Sequence, residues 1–202
     1  MLPYPTYACQ QCGLSLQHHL QTLCGQCLTR PPAFSRCLSA FDYAPPVSQL
    51  ITACKFQQRV DYAYALSQCF VEQVSPVLNQ LAQRPTYLIP IPLHRKRLLQ
   101  RGFNVADIIA RRISQPLNIP ILQGAITRIK HTVPQAGLGQ AKRRSNLRGA
   151  FHCSHALTAE SVAIVDDVIT TGTTCHEMAR TLQRAGVKDV WVFCLARAQK
   201  RF

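Results

Sequence analysis

The sequence predicts an α/β fold, a mainly parallel sheet with flanking helices, behind a small cysteine-rich N-terminal module. Three observations predict it. Strand-like and helix-like segments alternate from residue 86 to residue 195, the pattern of βαβ units. Val162 to Val165 form a wholly apolar run, as a strand buried on both faces should. Residues 1–36 have little regular periodicity, carry two CxxC pairs, and end near Arg30-Pro31-Pro32, a rigid turn. The expected division is therefore residues 1–36 and residues 37–202.

In the first module, Cys9-x-x-Cys12 and Cys24-x-x-Cys27 are separated by eleven residues. Two such knuckles can place four thiolates tetrahedrally around a structural zinc ion. A segment this short buries little core, so the metal would supply its folding energy. Chelation is then expected to loosen residues 1–36 and to leave the rest folded. His18 and His19 lie between the knuckles, but four paired cysteines need no fifth donor. Cys37 is left over as a lone candidate, and Cys54, Cys69, Cys153 and Cys194 read as small buried apolar residues. Cys175 falls in the first turn of an expected helix, a position that can lower a thiol pKa, although a bystander role is the simpler reading.

Beyond the module, Val60, Tyr64, Phe70, Val74, Leu78 and Leu81 recur at helical spacing, which predicts a helix over 60–82. Residues 86–91 read as a strand that must stop at Pro90 and Pro92. A basic loop follows, with His94, Arg95, Lys96, Arg97 and Arg101. Residues 104–114 read as a helix capped by Asn104, and 119–130 as one or two strands. Residues 131–150 have loop chemistry, with Lys142, Arg143, Arg144 and Arg148 among them. Strand 162–165, a Gly/Thr turn, helix 174–185, a Gly186 cap and strand 189–195 complete the chain.

The net charge is +14, and +12 of it lies in residues 84–148, which hold thirteen Lys/Arg and one acid, Asp107. Such a block points to a polyanionic partner, against the plainer reading of a solvated surface that serves solubility. There is no apolar run long enough to cross a membrane and no signal peptide at the N-terminus, so a cytoplasmic protein is expected. In that compartment cysteines stay reduced, which favours metal ligation over disulfides.

Chemistry concentrates at residues 162–174, VAIVDDVITTGTT. Ligands of open α/β sheets bind just past the carboxyl ends of the strands. Gly172 permits a tight turn between threonine hydroxyls, and the N–H groups opening the next helix favour a phosphate. Asp166 and Asp167 suit vicinal ribose hydroxyls and a divalent cation. A phosphate cradle beside a diol-binding acid pair describes a ribose 5-phosphate site.

This stretch resembles the signature of type I phosphoribosyltransferases: four apolar residues, two acids, two apolar residues, then Thr-Thr-Gly-x-Thr. The resemblance implies that 5-phosphoribosyl pyrophosphate (PRPP) is bound with Mg²⁺, its ribose on Asp166 and Asp167 and its 5-phosphate on Thr170, Thr171, Gly172, Thr173 and Thr174. Further motifs are Pro90-Ile-Pro-Leu-His94-Arg95-Lys96-Arg97, Arg101-Gly-Phe-Asn104, Gln135-x-x-Leu138, Arg144-x-Asn146-Leu147 and Gly149-Ala-Phe151. With the cysteines and the PRPP signature, they make nearly the whole chain similar to the ComF family of competence proteins, also represented by GntX-like proteins. That resemblance implies a type I phosphoribosyltransferase-like domain behind a zinc finger. It also implies a cytoplasmic role in DNA uptake and natural transformation, with single-stranded DNA and other competence proteins as partners. A third CxxC is absent, which argues against a larger metal site, and no segment marks a nucleobase-binding hood.

The residues also read without the family. Arg95, Lys96, Arg97 and Arg101, with Arg143 and Arg144 from the later loop, are candidate contacts to pyrophosphate or DNA. Tyr87 and Phe103 are candidate base-stacking residues, or simply core. Three functions stay open: a PRPP-binding protein of DNA uptake, an active phosphoribosyltransferase acting on an amine or base, and a PRPP-sensing regulator that binds RNA or DNA.

Overall fold

The computed structural model describes residues 2–3, 7–130 and 147–199. Its elements run α1 (Gly25–Thr29), β1 (Arg36–Asp42), α2 (Val47–Gln57), α3 (Val60–Asn79), β2 (Tyr87–Pro90), α4 (Arg95–Arg101), α5 (Val105–Leu117), β3 (Ile126–Arg128), β4 (Phe151–Cys153), β5 (Ser161–Ile169), α6 (Thr173–Arg184) and β6 (Asp189–Arg197). Strands β1, β6, β5 and β2 form one sheet in that order, and every pair is parallel. Strands β3 and β4 pair separately and antiparallel.

The parallel sheet is covered on both faces, as the apolar run in β5 requires. One face packs on α2, α3 and α5 through Ile51, Phe70, Leu78, Ile109 and Ile113, against Leu88, Val165 and Phe193 of the strands. The other face packs on α6 and the β3–β4 ribbon, through Met178, Leu182, Ile126 and Phe151 against Ile164 and Val192. Cys9, Cys12, Leu14 and Cys27 belong to that second cluster, so the cysteine segment is seated on the sheet. No helix among the described residues is long and apolar enough to cross a membrane.

Several expectations match the backbone closely. Asn104 caps α5, its Oδ1 accepting from Ala106 N at 3.2 Å, while its amide donates to Ile91 O at 2.9 Å. Helix α6 starts one residue before the expected position. Others need correction. The segment after β2, expected as a basic loop, is helix α4, with the His94 ring accepting from Lys96 N and Gly102 ending it at φ 83°. Residues 119–130 supply only the short β3 and one isolated bridge, Ile121 to Leu88, because Pro120 and Gly124 interrupt longer pairing. Strand β5 continues past Val165 to Ile169, so both acids belong to the strand itself. Strand β1 and helix α2 lacked a strong pattern, and their place comes from burial against β6 and α3. Most of the expected loop 131–150, with Arg143 and Arg144, lies outside the described residues.

From β2 the chain leaves toward α5 on one face, and from β5 it leaves toward α6 on the other. The carboxyl ends of β2 and β5 therefore flank a crevice, the place where open parallel sheets bind ligands.

Candidate functional site at the carboxyl edge of the sheet

Adjacent residues of a strand point to opposite faces. Asp167 goes to the α2 side, where its Oδ2 meets Lys55 Nζ at 2.8 Å, and it is 8% exposed. Asp166 lies on the other side, and its charge bears on Cys175 of α6. Burial, then the neighbouring charge of Asp167, raises the Asp166 carboxyl pKa to about 7, while Lys55 and Arg128 pull it back. The two acids thus differ in character: one is ion-paired, the other is pushed by burial toward its neutral form.

The turn that follows leads directly into the N-terminus of α6. Gly172 sits at φ 74°, a left-handed conformation that glycine adopts without strain, and it opens α6 as the N-cap. Thr171 and Thr173 hydroxyls join at 2.8 Å across it. The N–H groups of the first turn have no intrahelical acceptors. Anions are favoured there by those donors and by the helix dipole.

Cations converge on the acids from distant segments. Arg97 and Arg101 come from α4, Arg128 from β3 and Lys55 from α2. Burial lowers the pKa of Arg128, the nearby Arg97 lowers it further, and Asp166 opposes both. Arg101 is lowered by burial and by Arg97, and Asp167 opposes. Three guanidiniums and two carboxylates therefore share one field. Arg95 and Lys96 instead stand exposed at the start of α4. Tyr87 lies at the amino end of β2, the opposite edge from the site, and Phe103 packs against the core. Cys175 is buried, and burial, then Asp166, holds its thiol well above the ordinary value, so it is an apolar wall and not an activated nucleophile.

The knuckles adjoin this site. The sulfur atoms of Cys9, Cys12, Cys24 and Cys27 all lie within 4.8 Å of one another. A tetrahedral zinc site with ~2.3 Å bonds has sulfur–sulfur edges of about 3.8 Å, so the cluster is close to the required size. Cys12 Sγ and Cys24 Sγ are 3.6 Å apart, and Cys24 N donates to Cys9 Sγ at 3.3 Å. The hydrogen bond from Cys12 lowers the Cys9 pKa to about 4, while the same bond raises Cys12 and burial raises Cys27. A bound cation would release the thiol protons, since only thiolates ligate it. The donor set could hold a metal such as zinc. Gly13 turns the first knuckle at φ 71°, and a Cβ there would stand 2.9 Å from Cys37 Sγ, so Cys37 packs behind the cluster and outside the ligand set.

Arg197, at the end of β6, ties knuckle to loop. It is 4% exposed. Its Nε donates to Cys12 O at 2.8 Å, and its Nη1 donates to Ile169 O at 2.9 Å, to Ala198 O at 3.0 Å and to Thr170 O. A buried guanidinium is tolerated only when hydrogen-bonded this fully. Arg197→Met should lower stability by about 3 kcal/mol in urea unfolding, because it removes the donor held by buried Cys12 O and by Thr170 O and the link between the two segments. An unchanged midpoint would show that Arg197 carries no structural load.

Lys55, Arg128 and Arg197 were not marked by sequence. Arg128 lay in the basic block without a motif of its own, and Lys55 lay outside it. Arg197 had one faint signal, a charge closing the apolar run Val190 to Ala196.

Residues 98–201 match the phosphoribosyl transferase domain family. The DNA utilization protein YhgH of Escherichia coli O157:H7 is 40% identical over 191 residues, covering 94% of this chain and 83% of that protein. Competence protein F of Haemophilus influenzae is 37% identical over 195 residues, covering 94% and 84%. Competence protein ComFC of Bacillus subtilis is 25% identical over 153 residues, covering 73% and 58%. With the four-cysteine cluster in place ahead of the parallel sheet, the chain belongs to the ComF family of competence proteins and carries a phosphoribosyltransferase-like domain.

Proposed function

We propose that the protein binds PRPP with Mg²⁺ at the carboxyl edge of its sheet and acts on single-stranded DNA in DNA uptake. The observation that carries this is the convergence of Asp166 and the Thr170–Thr174 turn with Lys55, Arg97, Arg101 and Arg128. The 5-phosphate sits on the first-turn N–H groups of α6 and the threonine hydroxyls. Asp166 accepts from a ribose hydroxyl, and Asp167, held by Lys55, completes the acidic side. Arg97, Arg101 and Arg128 offset the charge of the pyrophosphate. Asp166 and Asp167 would hold Mg²⁺, which would supply positive charge against the phosphates. Zinc on Cys9, Cys12, Cys24 and Cys27 is structural. The curated relatives' names, DNA utilization and competence, support the link to DNA, as does the basic block.

Calorimetric titration with PRPP and Mg²⁺ tests the ligand, and the absence of heat at millimolar PRPP would reject it. Titration with single-stranded oligonucleotide in rising salt tests the partner. Each phosphate contact contributes a slope of roughly −0.7 in log affinity against log salt, so a flat response would reject the DNA half.

The guanidinium cluster also favours a second reading, an active phosphoribosyltransferase in which those cations stabilise departing pyrophosphate. Incubation with PRPP and a panel of amines and bases separates the two. Pyrophosphate release at ordinary enzyme rates supports transfer, and binding without release supports a sensor or scaffold.

A further inference from the structure

A cleft of about 480 Å³ adjoins the Thr171–Thr173 turn, and neither Asp166 nor Asp167 lines it. It shares Thr171, Gly172 and Thr173 with the loop, and its other walls come from the knuckle segment and α6. Arg30, Arg148 and Arg180 line it. Its one acid, Glu177, is already engaged, accepting from Gly149 N at 2.7 Å. None of the three arginines is ion-paired among the described residues. The walls are fixed: His176 Nδ1 accepts from Ala33 N at 2.9 Å, and Gln183 Nε2 donates to Ala33 O at 2.7 Å. Pro31 and Pro32 give one rim an apolar surface over buried Phe34.

PRPP has no use for these charges. In the proposed pose its 5-phosphate ends at the loop, and its pyrophosphate belongs with Arg97, Arg101 and Arg128, none of which lines the cleft. A ligand that reaches the cleft must continue beyond the phosphate on the loop, and it must be anionic there. A phosphodiester does this: one ester oxygen leads to the sugar beside Asp166 and the other leads into the cleft. The volume suits a ligand unit of nucleotide size, and guanidiniums match phosphate geometry.

We infer that the cleft receives the sugar-phosphate chain of single-stranded DNA, with a backbone phosphate of the strand on the Thr171–Thr173 turn. This rests on the DNA reading above and sharpens it, since strand and PRPP then compete for one phosphate position. The knuckle segment contributes Arg30, so the cysteine module is part of the DNA site itself.

The test uses the full-length zinc-loaded protein, a 3′-fluorescent oligothymidylate, PRPP and ribose 5-phosphate. The Arg30→Ala/Arg180→Ala variant should bind the oligonucleotide about tenfold more weakly, and its salt slope should shrink by roughly 1.4, the loss of two single-strand phosphate contacts. Its calorimetric affinity for PRPP should stay at the wild-type value. Saturating ribose 5-phosphate should displace the oligonucleotide from the wild type. The Arg30→Lys/Arg180→Lys variant should keep the salt slope, which separates lost charge from damaged packing. The inference is overturned if the alanine variant binds DNA like the wild type, or if oligonucleotide and ribose 5-phosphate bind together. Wild-type protein that binds no oligonucleotide at all would remove the DNA reading itself, and this inference with it.

Discussion

Asparagine at both 166 and 167 is expected to weaken PRPP binding by at least 100-fold while the protein stays folded. Hydrogen bonds to a charged group contribute about 1.5–3 kcal/mol each, so losing two such acceptors accounts for roughly 10²–10⁴ in affinity. The fold should survive for separate reasons at the two positions. Asp167→Asn removes a partner from Lys55, but that side chain is 22% exposed and can turn to solvent, so the loss stays below the roughly 3–5 kcal/mol of a fully buried pair. Asp166→Asn replaces a carboxyl that burial already pushes toward its neutral form. Calorimetry with PRPP and Mg²⁺, with circular dichroism as the folding control, reads both effects. Unchanged affinity in the double variant would move the ligand elsewhere.

The same carboxyl sets a pH dependence. Asp166 titrates near 7 in the fold and at 3.8 unfolded. The folded state therefore holds the extra proton between those values. Its stabilising contribution is complete below about pH 4 and is lost as pH rises through about 7, at most about 4 kcal/mol in all. Unfolding free energies of ligand-free protein should fall across that window, and Asp166→Asn should flatten the fall. A wild-type slope that the variant keeps would assign the titration to another group. PRPP affinity should move the opposite way and strengthen as pH rises, since the ionised carboxylate is the better acceptor.

Stripping the zinc proposed for the four cysteines is expected to have the second large effect. Structural zinc contributes about 10–16 kcal/mol in isolated fingers. Even a third of that, roughly 4 kcal/mol, lowers the melting temperature of a chain this size by about 10 °C. The sequence alone led us to expect the damage to stop at residue 36. The packing argues that it spreads, because Cys9, Cys12 and Cys27 share an apolar cluster with Ile164, Met178 and Val192, and Cys12 O holds Arg197 against the end of β5 and the Thr170–Thr174 turn. Chelation should therefore weaken PRPP binding as well as stability. Metal analysis near one zinc per chain, a melting curve, and PRPP titration before and after chelation form the check. A chelated protein with native melting and native PRPP affinity would detach the knuckles from the site.

What was legible in the sequence was whatever is contiguous. The acid pair and the Thr/Gly turn are one strand-to-turn-to-helix unit, so residues 162–174 carry their own geometry. Each CxxC knuckle is likewise local, and their spacing suffices to suggest a four-thiolate cluster. The α/β class followed from apolar runs and helical periodicity, which are local too. β1 and α2 were missed because their stability comes from packing partners far along the chain and not from their own pattern. α4 was missed because a short basic helix has no apolar face to reveal it, and none of its residues is buried.

The sequence by itself determined the loop, the knuckles and the fold class. Only the tertiary structure decided which charges meet there. A parallel sheet gathers the carboxyl ends of its strands, with the segments that follow them, at one edge, and this brings Lys55, Arg97, Arg101 and Arg128 together with Asp166 and Asp167 from three separate elements. It also turned two neighbouring acids to opposite faces, gave them different partners, and set the cysteine knuckles across a cationic cleft from the Thr171–Thr173 turn. Sequence distance says little about such contacts, because burial of both sheet faces, and not local propensity, fixes them.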